Sequence, residues 1–283
     1  MAEQWSMETI TELDDRQFSQ WRELLERRVG MQLTEQRRSL LRTSLSIRMR
    51  EIGCSDYQEY FDLVVNGGQG IYEWSILVDR LTVQETRFFR DPSSIELVSN
   101  YIARHQRNKD QLNIWSVGCA TGEEPYSLAI MAAHILEGST QYSVTASDIS
   151  QHALTTAREG FYNGRKIEAI PEKYRKSSLS RNGDTYQVLQ PIRDRICFVK
   201  QNVLDLDRFP FSDFDIIYCQ NLLIYFRRWR RKEIISQMAK RLSVGGMIIL
   251  GSGEVTDWVP DGLVRVENEQ TLAFLKPLTS RAK

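Results

Sequence analysis

Apolar residues recur every three or four positions early in the chain, at Phe18, Trp21, Leu24 and Leu25 and again at Leu40, Leu41, Leu45, Met49 and Ile52. That spacing lines one face of a helix, and strand-like alternation is absent, so a small all-helical domain is expected here. Gly30 and Gly53 fall where helix C-caps belong. Beyond residue 110 the pattern changes to short apolar runs at 112–117, 142–147, 195–199, 214–219 and 247–250, which read as strands. Helices are predicted over 123–136, from about 150, and over 228–242. Strands alternating with helices pair in parallel through right-handed crossovers, giving an α/β, doubly wound, mostly parallel sheet. Segments 264–266 and 271–275, joined through Asn268, read as a closing antiparallel hairpin. The interval 164–194 is too long for a plain crossover. It carries Pro171, Pro191, an Asn182-Gly183 turn signal and a short strand at 185–189, so a small β-containing insertion is expected there. The domains are read as 1–85, helical, and 86–283, the sheet domain with its insertion.

Composition narrows the function. Lysine plus arginine and aspartate plus glutamate are both 37, so the formal charge is zero, which disfavours a nucleic-acid binder working by bulk electrostatics. Cys54, Cys119, Cys197 and Cys219 form no CxxC pair, and His105, His134 and His152 lack ligand spacing. Buried free thiols in a reducing compartment, and no metal site, are expected. The acidic N-terminus lacks the basic-then-apolar order of a signal peptide, and the longest apolar stretch, 127–136, contains His134 and is too short to span a bilayer. A cytoplasmic protein is expected.

In open α/β sheets ligands lie beyond the carboxyl ends of the strands, near the topological switch point. The turn after the first strand reads Gly118-Cys119-Ala120-Thr121-Gly122-Glu123-Glu124-Pro125. Two glycines four apart let backbone approach a ligand, and the helix that follows offers unpaired amides. Neither a P-loop nor GxGxxG is present. Glu123 and Glu124 would repel phosphate; they suit a ligand with an ammonium or sulfonium centre, or they only complement the helix dipole. Asp148, at the end of the second strand, can accept from both hydroxyls of an adenosine ribose or can cap the next helix. In TVQETRFFRD (82–91), Thr86 and Arg90 would share a face on a helical turn; a surface ion pair is the other reading of Arg90. The strand at 214–219 runs into Gln220-Asn221-Leu222-Leu223-Ile224-Tyr225-Phe226, which suits an adenine-and-substrate wall or a core with a satisfied asparagine. Asn202 and Val203 hold the corresponding place after the strand at 195–199.

Taken in order, the helical N-terminal segment, TRFFRD, WSVGCATGEEPYSLA, TASDIS and CQNLLIYF resemble the CheR family of chemotaxis receptor glutamate methyltransferases over nearly the whole chain. The resemblance implies a class I S-adenosylmethionine-dependent methyltransferase with a Rossmann-like fold. Its cofactor would be S-adenosylmethionine, converted to S-adenosylhomocysteine, and its product glutamate methyl esters on methyl-accepting chemotaxis proteins, for receptor adaptation. It sets Gln84, Thr86, Arg90, Glu124, Asp148, Asn202, Val203, Asn221 and Leu222 against the cofactor, with Glu123 as an alternative to Glu124, and makes Arg90 and Tyr225 catalytic. The implied partner is the cytoplasmic helical domain of those receptors, reached by a monomer recruited to membrane arrays without inserting into the membrane or binding nucleic acid. Whether the output is swimming or type IV pilus twitching stays open. A glutamate of pKa about 4.3 is already ionised at neutral pH, so no general base is expected.

Departures from the family pattern are Gln84 for Asn, Gln220-Asn221 for Arg-Asn, and Arg181-Asn182-Gly183-Asp184 where peptide-docking members carry GxGxxG. The first two are polar replacements, and cofactor binding is expected to persist. The third argues for direct receptor recognition by residues 1–85. There Arg37, Arg38, Arg42, Arg48 and Arg50 would meet acidic residues, or form a solvated face. Two other functions stay open: a nicotinamide-dependent oxidoreductase, disfavoured by the missing GxGxxG, and a non-catalytic cofactor-binding regulator of a chemosensory system.

Overall fold

Asp14 accepts a hydrogen bond from the Gln17 amide (2.7 Å) while the Gln17 side chain accepts from the Asp14 amide (3.1 Å), a reciprocal cap that starts the first helix. That helix, α1 (Asp15–Val29), ends at Gly30 in the left-handed region, where a side chain would be strained. Three more follow: α2 (Arg38–Glu51), α3 (Tyr57–Asn66) and α4 (Gly70–Leu81). Gly53, also left-handed, lies just past α2. Phe18, Trp21, Leu25, Leu41, Leu45 and Met49 are buried, but Leu40 is 42% exposed, one residue off the stripe set by 41, 45 and 49. Arg48 reaches the buried Glu73 through two bonds of 2.9 and 2.5 Å, joining α2 to α4. Arg38 bonds Asp15 (2.5 Å) and the Leu13 carbonyl (2.8 Å). At least two of the five arginines expected to face a partner, Arg38 and Arg48, are thus held by their own unit.

The computed structural model describes residues 12–105, 111–136, 141–255, 258–268 and 270–278, and the chain divides into two units between Val83 and Gln84. Residues 1–11, which bear most of the leader reading, lie outside the described residues.

The second unit runs α5 (Pro92–His105), β1 (Gln111–Val117), α6 (Glu123–Leu136), β2 (Gln141–Asp148), α7 (Gln151–Glu159), β3 (Phe161–Asn163), α8 (Gly164–Ile167), α9 (Glu172–Ser178), β4 (Leu179–Asn182), β5 (Thr185–Val188), α10 (Gln190–Arg193), β6 (Ile196–Lys200), β7 (Phe214–Cys219), α11 (Arg228–Lys240), β8 (Leu242–Leu250), β9 (Val264–Arg265) and β10 (Leu272–Leu275). The main sheet has the order β6-β2-β1-β7-β8-β10-β9, parallel from β6 to β8 and antiparallel at the β10 edge. Buried Asp215 stitches its centre, accepting from the Asn113 amide and the Ser243 hydroxyl, both at 2.9 Å. On one side Trp115 stacks on Phe209 at 4.5 Å and donates to Ser147 Oγ at 2.9 Å.

The insertion is a three-stranded antiparallel sheet, β3-β5-β4, whose β4–β5 hairpin turns at Gly183. It starts at Phe161 rather than 164, because β3 follows directly from Gly160, the left-handed cap of α7. Of the four free cysteines only Cys119 and Cys219 are buried, while Cys197 is exposed and Cys54 intermediate. Among the described residues no cluster could hold a metal ion, and no helix is long and apolar enough to cross a membrane.

Because β2 and β7 flank β1 on opposite sides, the crossovers diverge there, and a crevice is expected at the carboxyl ends of β1 and β7.

Candidate active site

Gly118 leaves β1 with φ 77°, and a Cβ there would stand 3.1 Å from the Leu222 side chain, so the glycine lets the loops after β1 and β7 touch. The Gly118 and Cys119 amides both donate to the Ser147 carbonyl, at 2.8 and 3.0 Å. Asp148 completes the join: one carboxylate oxygen accepts from the Ala120 amide (2.9 Å) and the other from the Ser150 amide (2.8 Å). It does not cap α7, since Ser150 does so by accepting from the Ala153 amide at 3.0 Å. The same Ser150 hydroxyl accepts from Gln84 Nε2 at 3.0 Å, which brings Gln84 beside Asp148. On the other flank Asp148 pairs with Lys200 of β6, and the Gln201 amide donates to its carbonyl at 2.9 Å. Asn202 follows, accepting from the Leu204 amide (3.1 Å) and starting a 3₁₀ turn at Val203.

The two adjacent glutamates differ. Glu123 is fully buried, and its carboxylate is held by Lys166 Nζ from α8 and by Thr121 Oγ1 at 2.6 Å. Tyr162 adds a 2.7 Å bond to the Thr121 carbonyl, so the insertion braces the glycine turn. Glu124 is only partly buried and accepts from Ser116 Oγ at 2.6 Å. Desolvation pushes its carboxyl up to about 8, with the charges of Glu254 and Asp148 acting in the same direction and Arg90 opposing them. Glu124 therefore shares its surroundings with Arg90, Asp148 and Glu254.

The segment 82–91 forms no helical turn, contrary to the pattern that would place Thr86 and Arg90 on one face. Phe88 and Phe89 act as anchors instead. Phe88 is buried edge-on to Tyr162 at 4.9 Å; Phe89 stacks on Tyr174 at 5.5 Å, takes φ 49° and donates its amide to Ser127 Oγ at 3.0 Å. Arg90 emerges half-buried, donating to the Glu85 carbonyl at 3.0 Å, and Thr86 lies half-buried between Gln84 and Arg90 along the chain.

After β7, Asn221 is exposed with φ 57°, and a 3₁₀ turn at Leu223–Tyr225 follows Leu222, whose carbonyl accepts from the Tyr225 amide at 3.3 Å. This loop is pinned by Glu254, 1% exposed, which accepts from the amides of Leu223 (2.8 Å), Gly251 (2.8 Å) and Ile224. Burial raises its carboxyl, and those amides pull it back down. Glu254, Ser116, Ser150 and Lys166 were not singled out by motif reading. The one signal for Glu254 is an acid four residues past an apolar strand, in Gly-Ser-Gly-Glu.

The cleft thus gathers residues from the ends of β1, β2, β6 and β7. Residues 84–271 match the family model described as CheR methyltransferase, SAM binding domain, and residues 16–82 match CheR methyltransferase, all-alpha domain. The chemotaxis protein methyltransferase of Escherichia coli K12 is 28% identical over 247 residues, covering 86% of this chain and 85% of that one. Chemotaxis protein methyltransferase 2 of Pseudomonas aeruginosa is 30% identical over 242 residues, covering 84% and 85%. The solved structure of magnesium protoporphyrin IX methyltransferase from Synechocystis with bound SAM aligns at TM-score 0.39 and 15% identity over 77% of this chain and 90% of that one, a likeness too weak to add to these matches.

Replacing Glu254 by alanine strands the buried amides it accepts from, a cost of about 1–3 kcal/mol per unsatisfied group. Hydrogen exchange at Leu223 and Ile224 should accelerate well beyond that of the β8 amides; protection equal to wild type would show that the loop is held by something else.

Proposed function

The chain belongs to the CheR methyltransferase family, and on that premise we propose that it methylates glutamate side chains in the cytoplasmic helical domain of chemotaxis receptors, using S-adenosylmethionine. The observation that carries the reading is a pair of acids at the carboxyl end of the sheet: Asp148, where β2 ends against Lys200 of β6, and Glu124, in the first turn of α6 and within electrostatic reach of Arg90. These groups fit the cofactor's chemistry. Glu124 would pair with its ammonium, Asp148 would accept from the ribose hydroxyls, and Asn202 with Val203 would meet the adenine. Leu222, held against Gly118, and Asn221 would close the opposite wall, and Gln84 and Thr86 would line the entrance. The bound cofactor supplies an electrophilic methyl group on a sulfonium.

Arg90 and Tyr225 would orient the receptor carboxylate. That carboxylate is already ionised at neutral pH, so the chain needs to supply no proton acceptor. What it must supply is alignment and exclusion of water, since the reacting charges cancel as the bond forms. Arg90 must also hold the carboxylate loosely enough that the ground state is not favoured over the transition state. Among the described residues its one hydrogen bond is to a backbone carbonyl, which leaves donors for that contact.

Receptor contact through the helical unit would fall to Arg42 and Arg50, both exposed on α2, because Arg38 and Arg48 are engaged within the unit. Binding as a monomer to receptors would draw the protein to membrane arrays. No observation favours the oxidoreductase or the non-catalytic regulator.

The direct test mixes the protein, tritiated cofactor and membranes of the source cell, with base-labile label on receptor bands as the expected result. Arg90→Ala should cut turnover by about a hundredfold while cofactor affinity falls far less, because misplacing the reacting group is what it changes. Equal losses in both would confine Arg90 to the cofactor.

Glu124 yields a pH dependence. In the free protein its carboxyl titrates at about 8, so below that pH it is mostly protonated and must lose its proton to pair with an ammonium. Cofactor binding should then release a proton, and affinity should rise with pH toward 8 by at most about tenfold per unit, then flatten. Calorimetry in buffers of different ionisation enthalpy reads that proton. Glu124→Gln should abolish the rise, and a wild type with flat affinity would remove Glu124 from the ammonium site.

A further inference from the structure

The segment just past Tyr225 reads Arg227-Arg228-Trp229-Arg230-Arg231-Lys232, five cations and a tryptophan, in a chain whose formal net charge is zero. It forms the N-cap and first turn of α11, which holds no acid there and no side-chain cap. Aligned peptide dipoles favour anions at a helix N-terminus, so a cationic run in this position works against the helix. Arg227, Arg228, Trp229 and Lys232 are exposed, the tryptophan at 57%, and Ile224 beside Tyr225 is 46% exposed. An exposed tryptophan among arginines, rimmed by a further apolar side chain, has the composition of a binding surface.

Arg231 is turned to the backbone behind it. It donates to the carbonyls of Phe226 (2.8 Å), Glu254 (3.1 Å) and Ile224 (3.3 Å), tying the start of α11 to the loop that carries Tyr225. The surface is therefore set at a fixed distance from the tyrosine. Arg230 lies over the Trp229 ring at 4.2 Å and bonds Glu233 at 2.7 Å, which keeps the indole oriented.

We infer that Arg227, Arg228, Trp229 and Lys232, with Ile224, form a docking surface for an acidic helical segment of the substrate protein next to the glutamate being methylated. The inference rests on the methyltransferase reading above and adds where the substrate is gripped. Charge complementarity selects the occupant. A substrate whose reacting group is a carboxylate, presented on a helix with further acids a turn away, would set those acids against cations that Arg231 holds near Tyr225. An anionic lipid surface would satisfy the charge but would bring headgroups, not a glutamate, to the tyrosine. The insertion lacks the glycine-rich docking pattern, so a grip beside the reacting group also offers recognition without a tether.

The test uses the full chain and a purified soluble cytoplasmic fragment of a receptor from the same cell. Arg228→Glu combined with Lys232→Glu should lower kcat/KM for the fragment by about tenfold, through KM, because such charges act on encounter. Turnover at saturation and cofactor affinity should hold. Thermal unfolding of the variant reports its folding cost separately, since Lys232 also lies 5.5 Å from the centre of the Trp258 ring. Trp229→Ala should raise KM as well, and Arg265→Glu, a charge change elsewhere on the unit, should not. If the reversed pair does not fold, Arg228→Gln with Lys232→Gln carries the same comparison. An unchanged kcat/KM in the face of a working wild type overturns the surface and leaves the methyltransferase reading standing. So does normal fragment methylation with lost binding to phosphatidylglycerol vesicles, which would make the occupant a lipid surface. A wild type that transfers no methyl to the fragment would instead bring down the parent reading.

Discussion

One carboxylate holds the cleft together. Asp148 accepts from the amides of Ala120 and Ser150, so the turn after β1 and the start of α7 share an anchor. One oxygen accepts from each amide, so both halves of the carboxylate are tied to backbone. The cost of desolvating an acid at a strand end is thus offset by bonds that fix the glycine turn before any ligand arrives. Gln84 reaches the same place through Ser150, and β6 brings Asn202 alongside through its pairing with β2. Remove the carboxylate, and the turn and the helix start lose their shared anchor at once.

Three further acids show how the environment divides roles among like residues. Glu123 is neutralised by Lys166 and becomes a strut between the glycine turn and the insertion. Glu254 is spent on backbone amides and sets the loop carrying Tyr225. Glu124 has, among the described residues, only a serine hydroxyl as hydrogen-bond partner, and desolvation raises its carboxyl. The insertion is consequently more than decoration: Lys166, Tyr162 and Tyr174 fasten the turn and the two phenylalanines behind Arg90.

Much of this was legible in the sequence. The apolar runs marked β1, β2, β6 and β7 within a residue or so, because buried parallel strands have little choice but continuous apolar side chains. Asp148 could be placed from its strand end and the spacing to the glycine turn. Less legible was whatever depends on partners distant in the chain. Thr86 and Arg90 would share a face only on a helical turn, and the segment instead seats Phe88 on Tyr162 and Phe89 on Tyr174. Arg38 and Arg48 look like surface charge until Asp15 and Glu73 are seen to take them. The early part of β8 was hidden by Gly245 and Gly246, which break the apolar run that identifies 247–250. Glu123 and Glu124 are adjacent and identical in type, and their partners tell them apart: Lys166 and Thr121 for the first, Ser116 for the second.

Whether Asp148 serves the turn and the ligand together is read by calorimetric titration of S-adenosylhomocysteine into Asp148→Ala. Loss of a hydrogen bond to a charged group predicts binding weaker by about 1.5–3 kcal/mol in a protein that still folds. Unchanged affinity in the folded variant would contradict the account and move the ribose site elsewhere on the sheet edge.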